Sequence, residues 1–226
     1  MLYGDWDAFA GQYFKEWRKE IHTVAPFTPP KEWRKIIALD YGYSNPSAVL
    51  WIAVDHDSRA YVYRELYTTR HTYDQLCQKI VEMTPEEEKI EALIADPALQ
   101  TKSADTGVSF FEIAKKHKFN IIPGINDRIP GWNVLRKYLE ITEDEQLGGT
   151  AKIQISTSCS ALIRTLPTLI YDNVKVEDCD TTGEDHAPDA LRYGLVYLSK
   201  SLLPMSAIKK ARPERPRSTP LISTRF

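Results

Sequence analysis

Three runs of β-branched and aromatic residues follow one another between residues 35 and 66, and turn-forming residues separate them. The runs cover residues 35–40, 47–54 and 60–66, with "YGYSNP" in the first gap and "DHDSR" in the second. Gaps of this length and composition typically join neighbouring antiparallel strands. The sequence therefore predicts that the fold begins with three adjacent antiparallel strands.

Helical and strand-like segments alternate after this start. Apolar spacing predicts helices at about 73–83, 108–118, 132–140, 160–171 and 188–203, and short apolar runs predict strands at 91–96, 119–123 and 152–156. This order predicts an α/β fold with a mixed sheet, in which three antiparallel strands precede parallel strands and helices cover both faces.

Composition divides the chain into three parts. The 226 residues are 42% hydrophobic, enough for one core, which we assign to residues 35–204. Residues 1–34 are rich in aromatic side chains and end in the proline-containing connector "APFTPPKEW", so we interpret them as a linker or the edge of another domain. Residues 205–226 hold six basic residues against one glutamate and are predicted to be a disordered tail.

Cysteine usage and apolar content indicate the compartment. The three cysteines, Cys77, Cys159 and Cys179, are far apart and lack CxxC spacing, which favours a reduced intracellular protein without structural zinc. No apolar segment is long enough to span a bilayer, and the first residues lack a signal-peptide pattern. We therefore expect a soluble cytosolic protein.

Two predicted strands end in aspartate, at Asp40 in "IIALD" and at Asp96 in "ALIAD". In an open α/β sheet, ligands bind beyond the carboxyl ends of the parallel strands, so both side chains are candidates for a functional site. The alternative is a local role, in which Asp96 caps the turn that begins at Pro97 and Asp40 forms a turn of its own. Glu65, at the end of the third strand, is either an extra acid near the site or a solvated acid, and we interpret it as a solvated acid.

A third polar cluster lies in "GEDHAPDALRYGL", at the start of the last predicted helix. Asp185, His186 and Asp189 fall on or just before its first turn. One acid there would be explained by the helix dipole, whereas two acids and an imidazole indicate metal coordination. Oxygen-rich sites of this kind suit Mg²⁺ or Mn²⁺, and two such ions can hydrolyse a phosphodiester.

The three acidic segments resemble a known family. "LDYGYSNPSAVLW", "IADPA" and "EDHAPDALRYGL" are similar, in this order, to the acidic motifs of the nuclease domain of the tailed-bacteriophage terminase large subunit. Residues 1–34 are also similar to the segment that joins that family's packaging ATPase to its nuclease. The resemblance covers nearly all of residues 1–204 and implies a ribonuclease H-like fold.

The resemblance also implies site residues and partners. Asp40 and Asp96 match the first two acids of the family, and Asp185, His186 and Asp189 fall in the third motif, where many members carry a paired Asp-Asp. Two Mg²⁺ or Mn²⁺ ions, double-stranded viral DNA, a portal protein and a small terminase subunit are the implied cofactors and partners, in the host cell cytoplasm. The GxxxxGK[ST] motif of the packaging ATPase does not occur in the sequence, so we expect a nuclease domain without an ATPase domain.

Three questions stay open at this point. His186 either coordinates an ion, relays a proton or orients Asp185, and the ranking of Asp185 against Asp189 as ligand is unresolved. The chain is alternatively a non-catalytic DNA- or portal-binding module, or another ribonuclease H-like nuclease such as a resolvase or integrase. An actin-like or sugar kinase is a further alternative, but it requires a second Asp-Gly loop and a second lobe that this sequence lacks.

Overall fold

A computed structural model describes residues 11–104, 106–144, 148–180 and 182–201, so the predicted basic tail and the first ten residues lie outside the described residues. The helices are α1 Lys19–His22, α2 Tyr73–Met83, α3 Phe110–Lys116, α4 Arg128–Leu139, α5 Ser160–Thr165 and α6 His186–Ser201. The strands are β1 Thr23–Val24, β2 Arg34–Asp40, β3 Ser47–Val54, β4 Ala60–Thr68, β5 Ala92–Ala95, β6 Ile121–Pro123, β7 Ile141–Asp144, β8 Gly148–Ala151 and β9 Ile153–Ser156. Two 3-10 turns cover Pro97–Gln100 and Leu166–Thr168.

Seven strands form one mixed sheet in the order β1-β9-β4-β3-β2-β5-β6. The pairs β2–β3 and β3–β4 are antiparallel, while β2–β5, β5–β6, β4–β9 and β1–β9 are parallel. The predicted antiparallel start followed by parallel strands is thus confirmed. Strands β7 and β8 form a separate hairpin.

The two faces of the sheet bury two different hydrophobic clusters. Along β2, Ile36 and Ala38 face the cluster that contains residues of α4, α5 and α6, whereas Ile37 and Leu39 face the cluster of α2 and α3. This alternation follows from the two-residue period of a strand. Because all residues from Ile36 to Leu39 are buried, β2 is a central strand whose end is held rigidly.

Side chains that accept hydrogen bonds from backbone N–H groups determine where α2, α3 and α5 begin. Thr72 and Ser109 form capping boxes with Gln75 and Glu112, so α2 and α3 begin where side chains bind the free backbone N–H groups. Glu65 accepts hydrogen bonds from the backbone N–H groups of Ala161 and Leu162, both at 2.8 Å, and so caps α5. The interpretation of Glu65 as a solvated acid was wrong.

Two predicted helix boundaries were also wrong. The helix expected over 160–171 ends at Thr165 and continues only as a 3-10 turn, because Pro167 has no N–H group to donate to the preceding turn. The helix expected from Trp132 begins at Arg128 instead. Pro130 lies in its first turn, where a missing N–H group costs little.

The aromatic N-terminal segment packs onto the main core. Tyr13, Phe14 and Trp17 are buried in the same cluster as residues of β2 and α6. Lys35 is buried too, and its ammonium group donates to the carbonyl oxygens of Pro30 and Trp33, which fixes the proline-rich connector against β2. The boundary at residue 34 and the role of residues 1–34 as a link to another domain stay predictions.

Within the described part of the chain, no helix is both long and apolar enough to cross a membrane. The three cysteines are buried free thiols.

Candidate active site

Asp40 and Asp96 lie at the same end of two neighbouring parallel strands. Leu39 of β2 is paired with Ala95 of β5, so the two aspartates are the next residues on each strand. Both are partly buried. Asp96 also caps the following turn, because its Oδ1 accepts a hydrogen bond of 2.8 Å from the N–H group of Ala98. The capping role and a place in the candidate site therefore both apply to Asp96.

Helix α6 brings the third acidic segment to this strand end. It packs on β2 and β3, and a glycine allows the close approach: a Cβ atom at Gly194 would lie 2.7 Å from Cδ1 of Ile52 and 3.0 Å from Cβ of Ala38. The first turn of α6 lies beyond the end of β2, where His186 meets Asp40.

His186 contacts Asp40 directly. Its Nδ1 lies 2.8 Å from Oδ2 of Asp40, and both side chains are largely buried. Burial raises the pKa of Asp40, the hydrogen bond from His186 opposes that rise, and the charges of Asp189 and Asp96 add to it. The same hydrogen bond raises the pKa of His186. The contact itself therefore favours the charged forms of both groups, whereas the burial of Asp40 disfavours its carboxylate.

Asp185 is buried at the start of α6, and its carbonyl oxygen accepts the N–H group of Asp189 at 2.8 Å. Burial raises the pKa of its carboxyl group to about 6, and the charges of Asp189 and Asp40 act in the same direction. Asp40, Asp96, Asp185 and Asp189 thus lie near enough for their charges to interact. Carboxylates that lie close together and are partly buried repel one another. A bound cation would reduce this repulsion, so the arrangement favours cation binding.

Asp189 differs from the other acids because two arginines hold it. Its Oδ1 accepts a 2.7 Å hydrogen bond from Nε of Arg192, which is fully buried, and its Oδ2 accepts a 3.3 Å bond from Nη1 of Arg128. Both guanidinium groups lie over the ring of Trp132, at 5.0 Å and 5.3 Å from its centre. Arg128 also binds Asp178, at 3.3 Å. These contacts use both carboxylate oxygens of Asp189 in structural bonds.

The carboxylate oxygens at this end of the sheet are suitable ligands for a hard divalent cation. Carboxylate oxygens from three separate elements, at Asp40, Asp96 and Asp185, are the ligands that Mg²⁺ and Mn²⁺ prefer. As the side chains stand, no three His, Cys, Asp or Glu residues of the described chain form a group that could hold an ion. Cation binding therefore has to bring these carboxylates closer together; one oxygen of each strand-end aspartate is already engaged, Oδ2 of Asp40 with His186 and Oδ1 of Asp96 with the N–H group of Ala98.

A cavity of about 330 Å³ opens beside Asp185 and His186, lined also by Asn45, Pro46, Thr182 and Glu184. Glu184 is bound by Arg164, whose Nη2 lies 2.7 Å from Oε1, and by the hydroxyl of Tyr67 at 2.8 Å. The sequence did not indicate the contacts of Glu184 with Arg164 and Tyr67, nor the Arg128–Asp178 pair. The partners come from distant segments, and no local pattern marks them.

Four basic residues that could contact phosphates, Lys102, Arg128, Arg136 and Lys137, differ in their contacts. Arg128 is engaged with Asp178 and Asp189, and Arg136 forms an ion pair with Glu16 at 3.4 Å. These two are structural. The other two, Lys102 and Lys137, are exposed.

Comparison with known proteins gives a consistent picture. No protein-family profile matches the chain. Its sequence is 23% identical over 208 residues to the terminase large subunit of Escherichia phage T5, which covers 87% of this chain and 44% of that protein. The chain therefore spans less than half the length of this relative.

The fold matches solved nuclease domains. The P22 large terminase nuclease domain superposes with a TM-score of 0.65 at 18% identity, over 86% of this chain and 95% of that domain. The large terminase nuclease domain of bacteriophage SPP1, solved with bound Mn, gives a TM-score of 0.53 at 17% identity, over 73% of this chain and 86% of that domain.

The strand order and the likeness to these domains define a ribonuclease H-like α/β fold, and the predicted fold class is confirmed. Within that class, the chain is similar to the nuclease domains of phage large terminases, so the resemblance predicted from the three acidic motifs is confirmed as well.

Proposed function

We propose that this chain is a metal-dependent endonuclease that cuts double-stranded viral DNA with little sequence specificity during genome packaging. One observation supports the proposal: Asp96 and Asp185 come from different segments of the chain, and each lies near enough to Asp40, at one end of a sheet with the fold of terminase nucleases, for their charges to interact. The absence of a base-reading helix in the sequence supports low sequence specificity.

We assign roles from the contacts. Asp40 is the central ligand because β2 holds it rigidly and Oδ1 stays available when Oδ2 bonds to His186. Asp96 and Asp185 complete the ligand set. His186 acts as a positioning residue for Asp40. Asp189 was also predicted as a ligand, but its bonds to Arg128 and Arg192 favour a positioning role.

When bound, two Mg²⁺ or Mn²⁺ ions supply an activated water and stabilise the leaving oxygen of the phosphodiester. The chain's own residues prepare for this: the carboxylates hold negative charge in one place, and burial strengthens their interactions. The SPP1 domain with bound Mn supports divalent-metal use in this fold.

The test compares nicking of supercoiled plasmid by wild type, Asp40→Ala and Asp57→Ala, in Mn²⁺, Mg²⁺ or EDTA. Asp57 is an exposed acid in the β3–β4 turn and serves as the matched control. We expect wild type and Asp57→Ala to cut in metal only, and Asp40→Ala to be inactive and to lose Mn²⁺ binding in calorimetry. Equal cutting by all three proteins, or cutting in EDTA, would falsify the proposal.

Other outcomes separate the alternatives. DNA binding without cutting would favour a non-catalytic DNA- or portal-binding module. Preference for four-way junctions over linear duplex would favour a resolvase, a further nuclease with this fold.

The cellular setting is proposed from the phage T5 relative, whose name is terminase large subunit. We infer that the chain works in the host cytoplasm with a portal protein, a small terminase subunit and an ATPase, and that residues 1–34 connect it to the ATPase. Co-elution of the chain with purified portal protein in size-exclusion chromatography tests the first of these contacts.

A further inference from the structure

A second cavity is lined by the first residues of the loop that follows Asp40, whereas Asn45 and Pro46 of the same loop line the cavity beside His186. It has a volume of about 480 Å³, within the range of roughly 300–1,000 Å³ found for small-molecule sites. It is lined by Tyr41, Tyr43, Thr72, Tyr73, Ser103 and Thr106, and we call it the tyrosine cavity. Its lining carries aromatic faces and hydroxyl groups but no charged side chain, in contrast to the acidic site beside it.

Two of the tyrosines are fixed in place. The rings of Tyr41 and Tyr73 pack edge to face with centres 4.7 Å apart, and Tyr73 packs in the same way on Phe110 at 5.5 Å. The hydroxyl of Tyr41 donates a 2.9 Å hydrogen bond to the carbonyl oxygen of His71. The floor of the cavity is therefore a rigid aromatic surface.

Tyr43 is the exposed member, with 53% of its surface accessible. Its backbone is nevertheless held. The N–H group of Arg70 donates to the carbonyl oxygen of Tyr43 at 2.8 Å, and Ser47 bonds to both the N–H group and the carbonyl oxygen of Gly42. A Cβ atom at Gly42 would lie 2.5 Å from the carbonyl oxygen of Asn45, so this turn is closely packed. An exposed aromatic ring on a fixed backbone can bind a planar ligand at low entropic cost.

A basic groove of about 430 Å³ adjoins the tyrosine cavity at the segment that precedes α3. Lys102 and Gly107 line the groove, whereas their chain neighbours Ser103 and Thr106 line the cavity. Lys115 and Lys116 of α3 also line the groove, and the carboxylate of Glu112 in its lining lies 4.0 Å from the ammonium group of Lys102, so three lysines against one acid leave the lining net positive. A ligand that places a flat, uncharged ring in the cavity and a negative charge toward the lysines matches both surfaces.

We propose that the tyrosine cavity binds one unpaired nucleobase, which has left the duplex beside the cutting site, with Tyr43 stacked on the base and the neighbouring phosphate directed toward Lys102 and Lys116. Aromatic side chains that stack on bases and lysines that follow the backbone are the usual combination in proteins that bind single strands. The inference rests on the proposed nuclease function, since Tyr43 follows Asp40 by three residues and so would contact DNA next to the scissile bond.

The experiment measures binding of two single-stranded oligonucleotides by fluorescence anisotropy, one intact and one with a run of abasic sugars. Tyr43→Ala should weaken binding of the intact strand about tenfold, as expected for one stacked base. Tyr43→Phe keeps the ring and should bind like wild type. On the abasic strand, wild type and Tyr43→Ala should bind equally. Lys116→Ala should weaken both strands alike and reduce the salt dependence of binding.

Equal binding of the intact strand by wild type and Tyr43→Ala would overturn the assignment of the cavity, as would an effect of Tyr43→Ala that persists on the abasic strand. Plasmid nicking is measured on the same proteins, so that failure of the base-binding proposal can be distinguished from failure of the nuclease proposal. Nicking by the wild type together with an unchanged Tyr43→Ala affinity rejects only the base site. A wild type that neither binds nor nicks DNA rejects both.

Discussion

Nδ1 of His186 lies 2.8 Å from Oδ2 of Asp40, so a hydrogen bond between residues 146 positions apart joins the last helix to the central strand of the sheet. The resemblance to the third terminase motif implies that many relatives carry a second acid at this position. A second carboxylate would add repulsion to the buried acids, whereas the imidazole provides a donor and, when protonated, a positive charge. The histidine therefore holds Asp40 in one orientation.

The first prediction concerns this contact. His186→Asn keeps a donor within reach of Asp40 and should retain most of the nicking activity, with the preference between Mn²⁺ and Mg²⁺ unchanged. His186→Ala removes the donor and should lower the nicking rate roughly 10- to 100-fold, the usual effect of losing a group that orients a ligand. Initial nicking rates in each metal measure both effects. A shift of metal preference in His186→Asn would show instead that the imidazole binds the ion.

The second prediction separates Asp189 from Asp185. Asp189→Asn leaves the buried Arg192 without its carboxylate, and a buried ion pair broken in this way costs about 3–5 kcal/mol. Asp185→Asn should instead raise the free energy of unfolding in EDTA at pH 7.5 by about 1 kcal/mol, because it removes a buried charge whose pKa is raised to about 6. It should also abolish nicking. Urea denaturation of each variant gives the free energies, and a stable Asp189→Asn protein would contradict the structural role.

The third prediction tests the close contact of α6 with the sheet. Gly194→Ala places a methyl group 2.7 Å from Cδ1 of Ile52, and overpacking of this kind costs about 1–3 kcal/mol. Because the first turn of α6 carries Asp185 and His186, a displaced helix should also reduce nicking. Adding Ile52→Val removes the opposing Cδ1 atom and should restore part of both stability and activity. If the double variant is no better than Gly194→Ala alone, the contact does not position the helix.

The fourth prediction concerns pH and a residue far from the site. His22 is fully buried, its Nε2 lies 3.0 Å from the carbonyl oxygen of Leu139, and its ring stacks on Trp17. Burial lowers the pKa of His22, so the unfolded chain binds a proton more readily than the folded one. This contribution to stability is present above pH 6.5 and is lost as the pH falls below it.

Urea denaturation at pH 7.5, 6 and 5 measures this effect. His22→Gln should be less stable than wild type at pH 7.5, but the difference should shrink as the pH falls. His56→Gln, in the exposed turn between β3 and β4, is the matched control and should follow wild type at every pH. A constant gap between His22→Gln and wild type would exclude the proposed proton linkage.

The sequence by itself determined the antiparallel start of the sheet and the alternation of helices and strands that follows it. It also determined that two aspartates lie at strand ends. These features depend on local patterns: apolar runs, short turns and the two-residue period of strands. Local chemistry also explains the misplaced boundaries, since Pro167 ended one helix and the first-turn Pro130 allowed another to start early.

Only the tertiary structure decided which acids pair with the side chains of distant residues and which do not. Asp189 and Asp185 look alike in "EDHAPDALRY", yet Asp189 is paired with Arg128, 61 residues away, and Asp185 has no such partner among the described contacts. Asp40 likewise gains His186 only when α6 packs on β2. Such pairs depend on the close approach of distant segments, which burial of apolar surface drives and which no sequence spacing records.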